Sequence, residues 1–341
     1  MSNYVAAALS GNGGLGYLAI HAVQFGAQPI LAKSYIWKDT LTSSLVLGAE
    51  LAKILGCLAM LHASGELRYV LKGYSVQRAV VLCALPASTY LVQNYCIQVA
   101  YQNIDSVVFN ILNQSKMLFT AFFSFAIMGR RQSRVQCIAL LMVTIAGILI
   151  SWRSHSDSLS SSATNGQNGH SSSNGHTNGH NGQNGHSNWM LGVPCVVVAS
   201  ALSGLGSGLT EWIVQGQKRN TYLFSAEMAV LGCLTILFSL VFDMSPDSSR
   251  FREKGLLHGW TLFTLIPVLT QGLGGIIVGL ITKTSGGVKK GFAVICGLLL
   301  TCAWKCLVDG QPLSLPVCVA VPMVGGSIYL HAKFPPVKKI D

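Results

Sequence analysis

The stretch Arg134-Val-Gln-Cys-Ile-Ala-Leu-Leu-Met-Val-Thr-Ile-Ala-Gly-Ile-Leu-Ile-Ser-Trp152 decides the fold class. After Arg134 it contains no Asp, Glu, Lys or Arg up to Trp152. An apolar run of roughly 18 residues or more without charges is long enough to cross a bilayer as a helix. It is far too long for a single strand. In lipid the backbone must satisfy its own hydrogen bonds, which a helix does within one segment.

Working outward, nine further mostly apolar runs bring the candidate spans to ten: 13–32, 41–63, 79–101, 104–128, 134–152, 189–215, 221–243, 257–282, 286–308 and 312–331. Residues 13–32 lack a basic leader and a small-residue cleavage site, so they are read as a retained first helix. Only 10% of the 341 residues are charged, against about 25% in a soluble domain. The ten cysteines all lie inside apolar stretches and show no metal-ligand spacing. No metal site and no cofactor are expected.

Residues 153–188 interrupt the pattern. The tract is rich in Ser, Asn, Gly and His, with Asn-Gly-His triplets ending at His170, His176, His180 and His186. It has almost nothing to bury and is expected to be a disordered linker. It divides the spans five and five. Because five is odd, the second half enters the membrane inverted, and two such halves form the inverted repeat common in secondary transporters. The expected architecture is therefore an all-α membrane protein of ten transmembrane helices. Residues 1–152 form the first repeat, 153–188 the linker, 189–333 the second repeat and 334–341 a tail. The substrate site is expected where the repeats meet.

The net charge of +11 does not indicate nucleic acid, because the basic residues fall in short clusters between apolar runs. With the amino terminus in the cytosol, twelve loop and tail Lys/Arg residues fall on the cytosolic side and seven on the luminal side. That asymmetry favours both termini in the cytosol.

Four lysines fall inside spans or at their mouths: Lys53, Lys116, Lys289 and Lys290. A charge at mid-membrane costs about 2.5–3.5 kcal/mol on insertion scales and calls for a partner or a function. Glu50, three residues before Lys53, offers it a structural pair; the other reading is a role in gating. Lys116 has no acidic neighbour in its own span. Phe109, Asn113, Lys116 and Thr120 follow helical spacing, and a lysine among amides and hydroxyls suits an anionic ligand. An internal carboxylate such as Glu211 or Glu227 is the alternative. Lys289 and Lys290 follow Gly286 and Gly287 at the start of a span, where free N–H groups favour anions. They diverge by about 100° on a helix, so one is expected to serve the site and the other to snorkel. Lys116 lies in span four and Lys290 in its repeat counterpart, span nine, so the two are expected to converge on one phosphate-bearing ligand. In span three Tyr90, Gln93 and Asn94 share a face suited to a base or ribose, although interior polar packing produces the same pattern. Glu211 and Glu227 are accessory candidates that neutralise a lysine or contact sugar hydroxyls.

Tyr90-Leu-Val-Gln-Asn94, the segment Phe109 to Ala121, Gly286-Gly-Val-Lys-Lys-Gly-Phe292 and the basic turn Gly129 to Gln136 together resemble the nucleotide-sugar transporter family. The similar branch holds the CMP-sialic acid and UDP-sugar carriers of the drug/metabolite transporter superfamily. The resemblance implies that Lys116 and Lys290 bind the nucleotide's phosphates and that Tyr90 and Asn94 hold the nucleoside. It implies exchange of nucleotide-sugar for nucleoside monophosphate, with no catalytic residue. Phe109 and Asn113 stand where animal CMP-sialic acid carriers have tyrosines, and Ser225-Ala-Glu-Met228 also departs from them. The Asn-Gln-Ser-Lys and Gly-Gly-Val-Lys-Lys-Gly-Phe segments look closer to plant-type endoplasmic reticulum carriers of UDP-N-acetylglucosamine and UDP-N-acetylgalactosamine.

Lys338 and Lys339, four and three from the end, resemble the dilysine signal that cytosolic coat proteins read to return proteins from the Golgi to the endoplasmic reticulum. Simple anchoring of the last helix is the plain alternative. Small-residue runs such as Gly204-Leu-Gly-Ser-Gly208 permit close packing within the chain or in a homodimer. Two further function classes remain open. A phosphate-metabolite exchanger would also use two membrane lysines. A membrane-embedded enzyme would need an acid/base or nucleophile constellation, and five of the nine histidines lie in or beside the linker instead.

Overall fold

A computed structural model describes residues 2–37, 39–104, 106–165, 189–309 and 315–334. Among these the secondary structure is helical, with no β-strand. The helices are α1 (Ser2–Tyr35), α2 (Thr42–Ala63), α3 (Leu67–Lys72), α4 (Val76–Asn103), α5 (Ser106–Asn113), α6 (Lys116–Met128), α7 (Arg134–Asn165), α8 (Trp189–Glu211), α9 (Thr221–Val241), α10 (Ser248–Lys254), α11 (Leu265–Thr284), α12 (Gly286–Asp309) and α13 (Leu315–Lys333). A π turn, Trp212–Gly216, extends α8, and a 3-10 turn, Leu262–Thr264, leads into α11. Each of the ten expected spans overlaps helix among the described residues, with 105 and 312–314 lying outside them and the eighth becoming helical only from Leu262. Nine stretches among the described residues are long and apolar enough to cross a membrane, and α1 is not among those nine.

Large apolar side chains face outward, as lipid allows and water does not: Leu55 is 68% exposed and Val81 72%. The chain is a multi-pass membrane protein. Two differences from the expected spans have local causes. The fourth span is two helices, with Gln114 and Ser115 in a tight turn between α5 and α6. There Gln114 N–H donates to the Ile111 carbonyl, Ser115 N–H to Leu112 and Met117 N–H to Gln114. These are three-residue rather than four-residue steps, which tighten the helix without a proline. The helix of the fifth span, α7, carries on to Asn165, taking in the first part of the expected linker. Adding residues to a formed helix is far easier than starting one. The remainder of that linker, residues 166–188, lies outside the described residues, as do Lys338 and Lys339.

The chain forms two compact units, Met1–Thr89 with Gly206–Thr301, and Tyr90–Leu205 with Cys302–Asp341. Each draws on both sides of the linker. In the first, α2 packs on α9 and α11, and α1 packs on α11. Glycines set the close approaches: a Cβ on Gly272 would strike the Ala49 carbonyl at 2.8 Å. The Asn220 side chain caps α9 by accepting from the N–H groups of Tyr222 and Leu223 at 3.0 and 3.2 Å. In the second unit, α7 packs on α13. Ala139, Val143, Ala146 and Ile150, spaced for one helical face, are buried, as are Val317, Ala320 and Val324 of α13. Gly129 closes α6 in the left-handed conformation, φ 68°, its N–H donating to the Phe125 carbonyl. Gly204 of the small-residue run fits against the Phe119 and Thr120 backbone, so at that position the close packing is within the chain.

Candidate functional site

In the second unit the tight turn at Gln114–Ser115 makes Lys116 the first residue of α6. Lys116 is half-buried, and among the described residues no carboxylate pairs with it. The first N–H groups of α6 are taken up by the turn itself, Met117 donating to the Gln114 carbonyl and Leu118 and Phe119 to that of Ser115, so it is the Lys116 ammonium, at the positive end of the helix dipole, that supplies the charge here. Such broken helices are tolerated where the backbone is buried in protein or lines a cavity. The arrangement can hold an anion.

The neighbours expected around Lys116 divide. Asn113 is half-buried at the end of α5. Phe109 is 3% exposed and packs in a cluster with Ala100, Ile104 and Val196, its ring 4.2 Å from that of Tyr101. Thr120 turns its hydroxyl back to the Lys116 carbonyl at 2.8 Å. Gln114 is buried with its amide 3.4 Å from the Ser151 hydroxyl. On α4, past Pro86, Tyr90 is half-buried and Asn94 exposed. Gln93 buries its carbonyl oxygen with no hydrogen-bond partner, a cost that a ligand or water offsets.

In the first unit, α12 begins at Gly286, whose φ of +84° favours glycine. The N–H of Gly287 donates to the Glu211 carboxylate at 3.1 Å. Glu211 is 1% exposed. The anion at this helix start is thus supplied by the protein itself. Glu211 stands just before the π turn, from which Gln215 donates its side-chain amide to the Thr282 carbonyl. Of the two adjacent lysines, Lys289 is exposed and Lys290 half-buried. The Lys290 ammonium is 3.5 Å from the Ser207 hydroxyl and lines a cavity.

The other membrane charges of this unit are paired. Lys53 donates to both Glu50 oxygens at 2.8 and 2.7 Å, as the spacing suggested. Glu227 is held bidentately by Arg219, with Nε 3.0 Å from Oε2 and Nη2 on Oε1. Cys83 Sγ adds a 3.6 Å contact, and Asn220 next to Arg219 reaches Glu66 at 2.6 Å. Burial opposes the charge of Arg219, but the hydrogen bonds and charge of Glu227 outweigh it and hold the guanidinium above its usual value. Glu227 therefore meets an arginine and not one of the candidate lysines.

The sequence reading passed over His21, Gln24 and Gln28. They recur at three- and four-residue steps on α1 and line the same cavity as Lys290. The signal was present as polar periodicity in an apolar helix, but uncharged amides weigh less than lysines when spans are scanned.

A lysine inside an apolar span marks a functional position, and comparison with known proteins gives the class of this membrane protein. The model of the nucleotide-sugar transporter family matches residues 31–332. The chain belongs to the nucleotide-sugar transporter family. It is 37% identical over 323 residues to the UDP-N-acetylglucosamine transporter ROCK1 of Arabidopsis thaliana, covering 95% of this chain and 93% of that one. It is 24% identical to the UDP-N-acetylglucosamine transporter of Rattus norvegicus, over 76% of this chain and 75% of the relative. With the UDP-N-acetylglucosamine/UDP-N-acetylgalactosamine transporter nstp-4 of Caenorhabditis elegans it shares 25% identity, over 86% and 83%. A solved crystal structure superposes with a TM-score of 0.62 at 11% identity, covering 94% of this chain and 96% of the other. That likeness concerns the fold alone.

Proposed function

We propose that this chain exchanges a UDP-N-acetylhexosamine for UMP across the endoplasmic reticulum membrane, delivering the sugar nucleotide to the lumen. The observation that carries the reading is the 37% identity to a plant UDP-N-acetylglucosamine transporter along 95% of the chain. Lys116 supports it as a half-buried cation at a helix start, among the described residues without a carboxylate partner. In this reading Lys116 and Lys290 hold phosphate, and Tyr90 and Asn94 hold the uracil nucleoside. Asn113 and Gln93 are accessory, and Lys289 lies at the membrane surface. The chain acts as a carrier and not as an enzyme. Its ten helices form two inverted five-helix repeats with both ends in the cytosol. Lys338 and Lys339 return it from the Golgi through coat proteins.

The test is uptake of labelled UDP-N-acetylglucosamine into liposomes carrying purified protein, either preloaded with UMP or empty. Uptake that requires internal UMP supports antiport, and competition by other nucleotide-sugars then ranks substrates. A preference for UDP-galactose or CMP-sialic acid would replace the sugar assignment. Failure to take up any UDP- or CMP-sugar by folded protein would overturn the transport reading and leave phosphate-metabolite exchange.

A further inference from the structure

Within the first unit an open cavity of about 650 Å³ is lined by α1, α2, α11 and α12. Its volume is that of a small-molecule pocket. Its walls are mostly apolar, but six polar side chains line it: His21, Gln24 and Gln28 from α1, Thr42 from α2, Gln271 from α11 and Lys290 from α12. No Asp or Glu lines it. His21 is 5% exposed, yet its Nδ1 has no hydrogen-bond partner, and Gln28 Oε1 is likewise buried and unsatisfied. The Gln28 amide meanwhile donates to the Pro267 carbonyl at 2.9 Å, which fixes the orientation of that side chain. Unsatisfied polar atoms in the membrane are costly, and a polar, roomy site fills with something that bonds them.

The lack of a Cβ at Gly274 holds Gln24 in place: a methyl there would run into its amide. Gln271 is exposed on α11 and faces the cavity. Glutamine amides both donate and accept. Such a set fits a neutral, hydroxyl- and amide-bearing group and offers no second cation beyond Lys290 for another anion. We propose that this cavity takes the sugar end of the transported nucleotide-sugar, an uncharged acetamido-hexose, with Gln24, Gln28, Gln271 and His21 bonding its hydroxyl and acetamide groups and Lys290 at the phosphate end. This deepens the proposed function and rests on it.

The experiment compares two exchanges in proteoliposomes preloaded with UMP: external UMP, which has no sugar, and external UDP-N-acetylglucosamine. Gln24→Leu and Gln271→Leu should each raise the KM for UDP-N-acetylglucosamine relative to that for UMP by about tenfold, the worth of one lost hydrogen bond. Gln271→Leu removes an exposed side chain and keeps the test available if Gln24→Leu does not fold. Gln24→Asn and Gln271→Asn, which keep the amide, should recover part of the loss for the sugar nucleotide alone. A ratio that stays at the wild-type value, or a parallel fall in both exchanges, overturns the sugar pocket. Wild-type protein that exchanges no UMP overturns the proposed function itself, a distinct outcome.

Discussion

Lys53, Arg219 and Glu211 of the first unit and Lys116 of the second handle charge in opposite ways. In the first, Lys53 meets Glu50, Arg219 meets Glu227, and the Glu211 carboxylate is met by the start of α12. In the second, Lys116 stands half-buried with no carboxylate partner among the described residues. A charge that is paired in the resting protein is bound into the structure, whereas a cation without a carboxylate is available to a ligand. Charge in a membrane span is thus not one signal but two, separated by whether its partner belongs to the chain.

If that contrast is right, Lys116→Ala should cost the most in transport and little in stability. Loss of a charge-assisted contact to phosphate should slow nucleotide exchange by roughly a hundredfold, measured in proteoliposomes, while the variant elutes as a single species in detergent. Wild-type exchange rates in this variant would remove Lys116 from the site. Arg219→Ala should do the reverse. It strands a mostly buried Glu227, at a cost of about 3 kcal/mol, seen as a lower thermal unfolding midpoint of the detergent-solubilised protein. Pairing it with Glu227→Leu should recover much of that stability. Recovery of none would mean the ion pair is not what Arg219 contributes.

Gly286→Ala forces a left-handed backbone on a residue with a Cβ, at about 1–2 kcal/mol, and disturbs the helix start that Glu211 caps. A variant as stable as the parent would show that α12 begins elsewhere. The smallest effect belongs to Glu50→Gln. The glutamine still accepts from the Lys53 ammonium where Glu50 now does, so only the charge-assisted part of the contact is lost, about 1 kcal/mol, with transport retained. A transport defect larger than its effect on the unfolding midpoint would recast Lys53 as a gating residue.

Span positions were legible because a length requirement is written directly into uncharged runs such as 135–152. The Lys53–Glu50 pair was legible because three residues is one helical step. The Arg219–Glu227 pair was not, since its eight-residue separation crosses the Asn220 cap and the start of α9, and only the folded turn brings the two together. The break before Lys116 was hidden because no glycine or proline marks it, and the chain tightens through Gln114 and Ser115 instead. Phe109 illustrates a different loss. Helical spacing puts it in line with Lys116, while its ring also packs against Tyr101 of α4, a contact between helices that spacing within one span does not reveal. The polar row on α1 was readable in principle and was outweighed by the lysines.

Gly26 and Gly297 bring α1 and α12 together backbone to backbone. A Cβ on Gly26 would lie 2.7 Å from the Gly297 carbonyl oxygen, and the Thr301 hydroxyl donates to the Gly26 carbonyl at 2.8 Å. Two helices that meet backbone to backbone, and are tied by a hydrogen bond at the same place, are held in register there. In the proposed reading the row His21, Gln24, Gln28 and the ammonium of Lys290 would then keep one spacing while cargo is exchanged. Such a pair would serve as a ruler from the phosphates of a solute to its sugar ring, and would select cargo by length before any single hydrogen bond is compared.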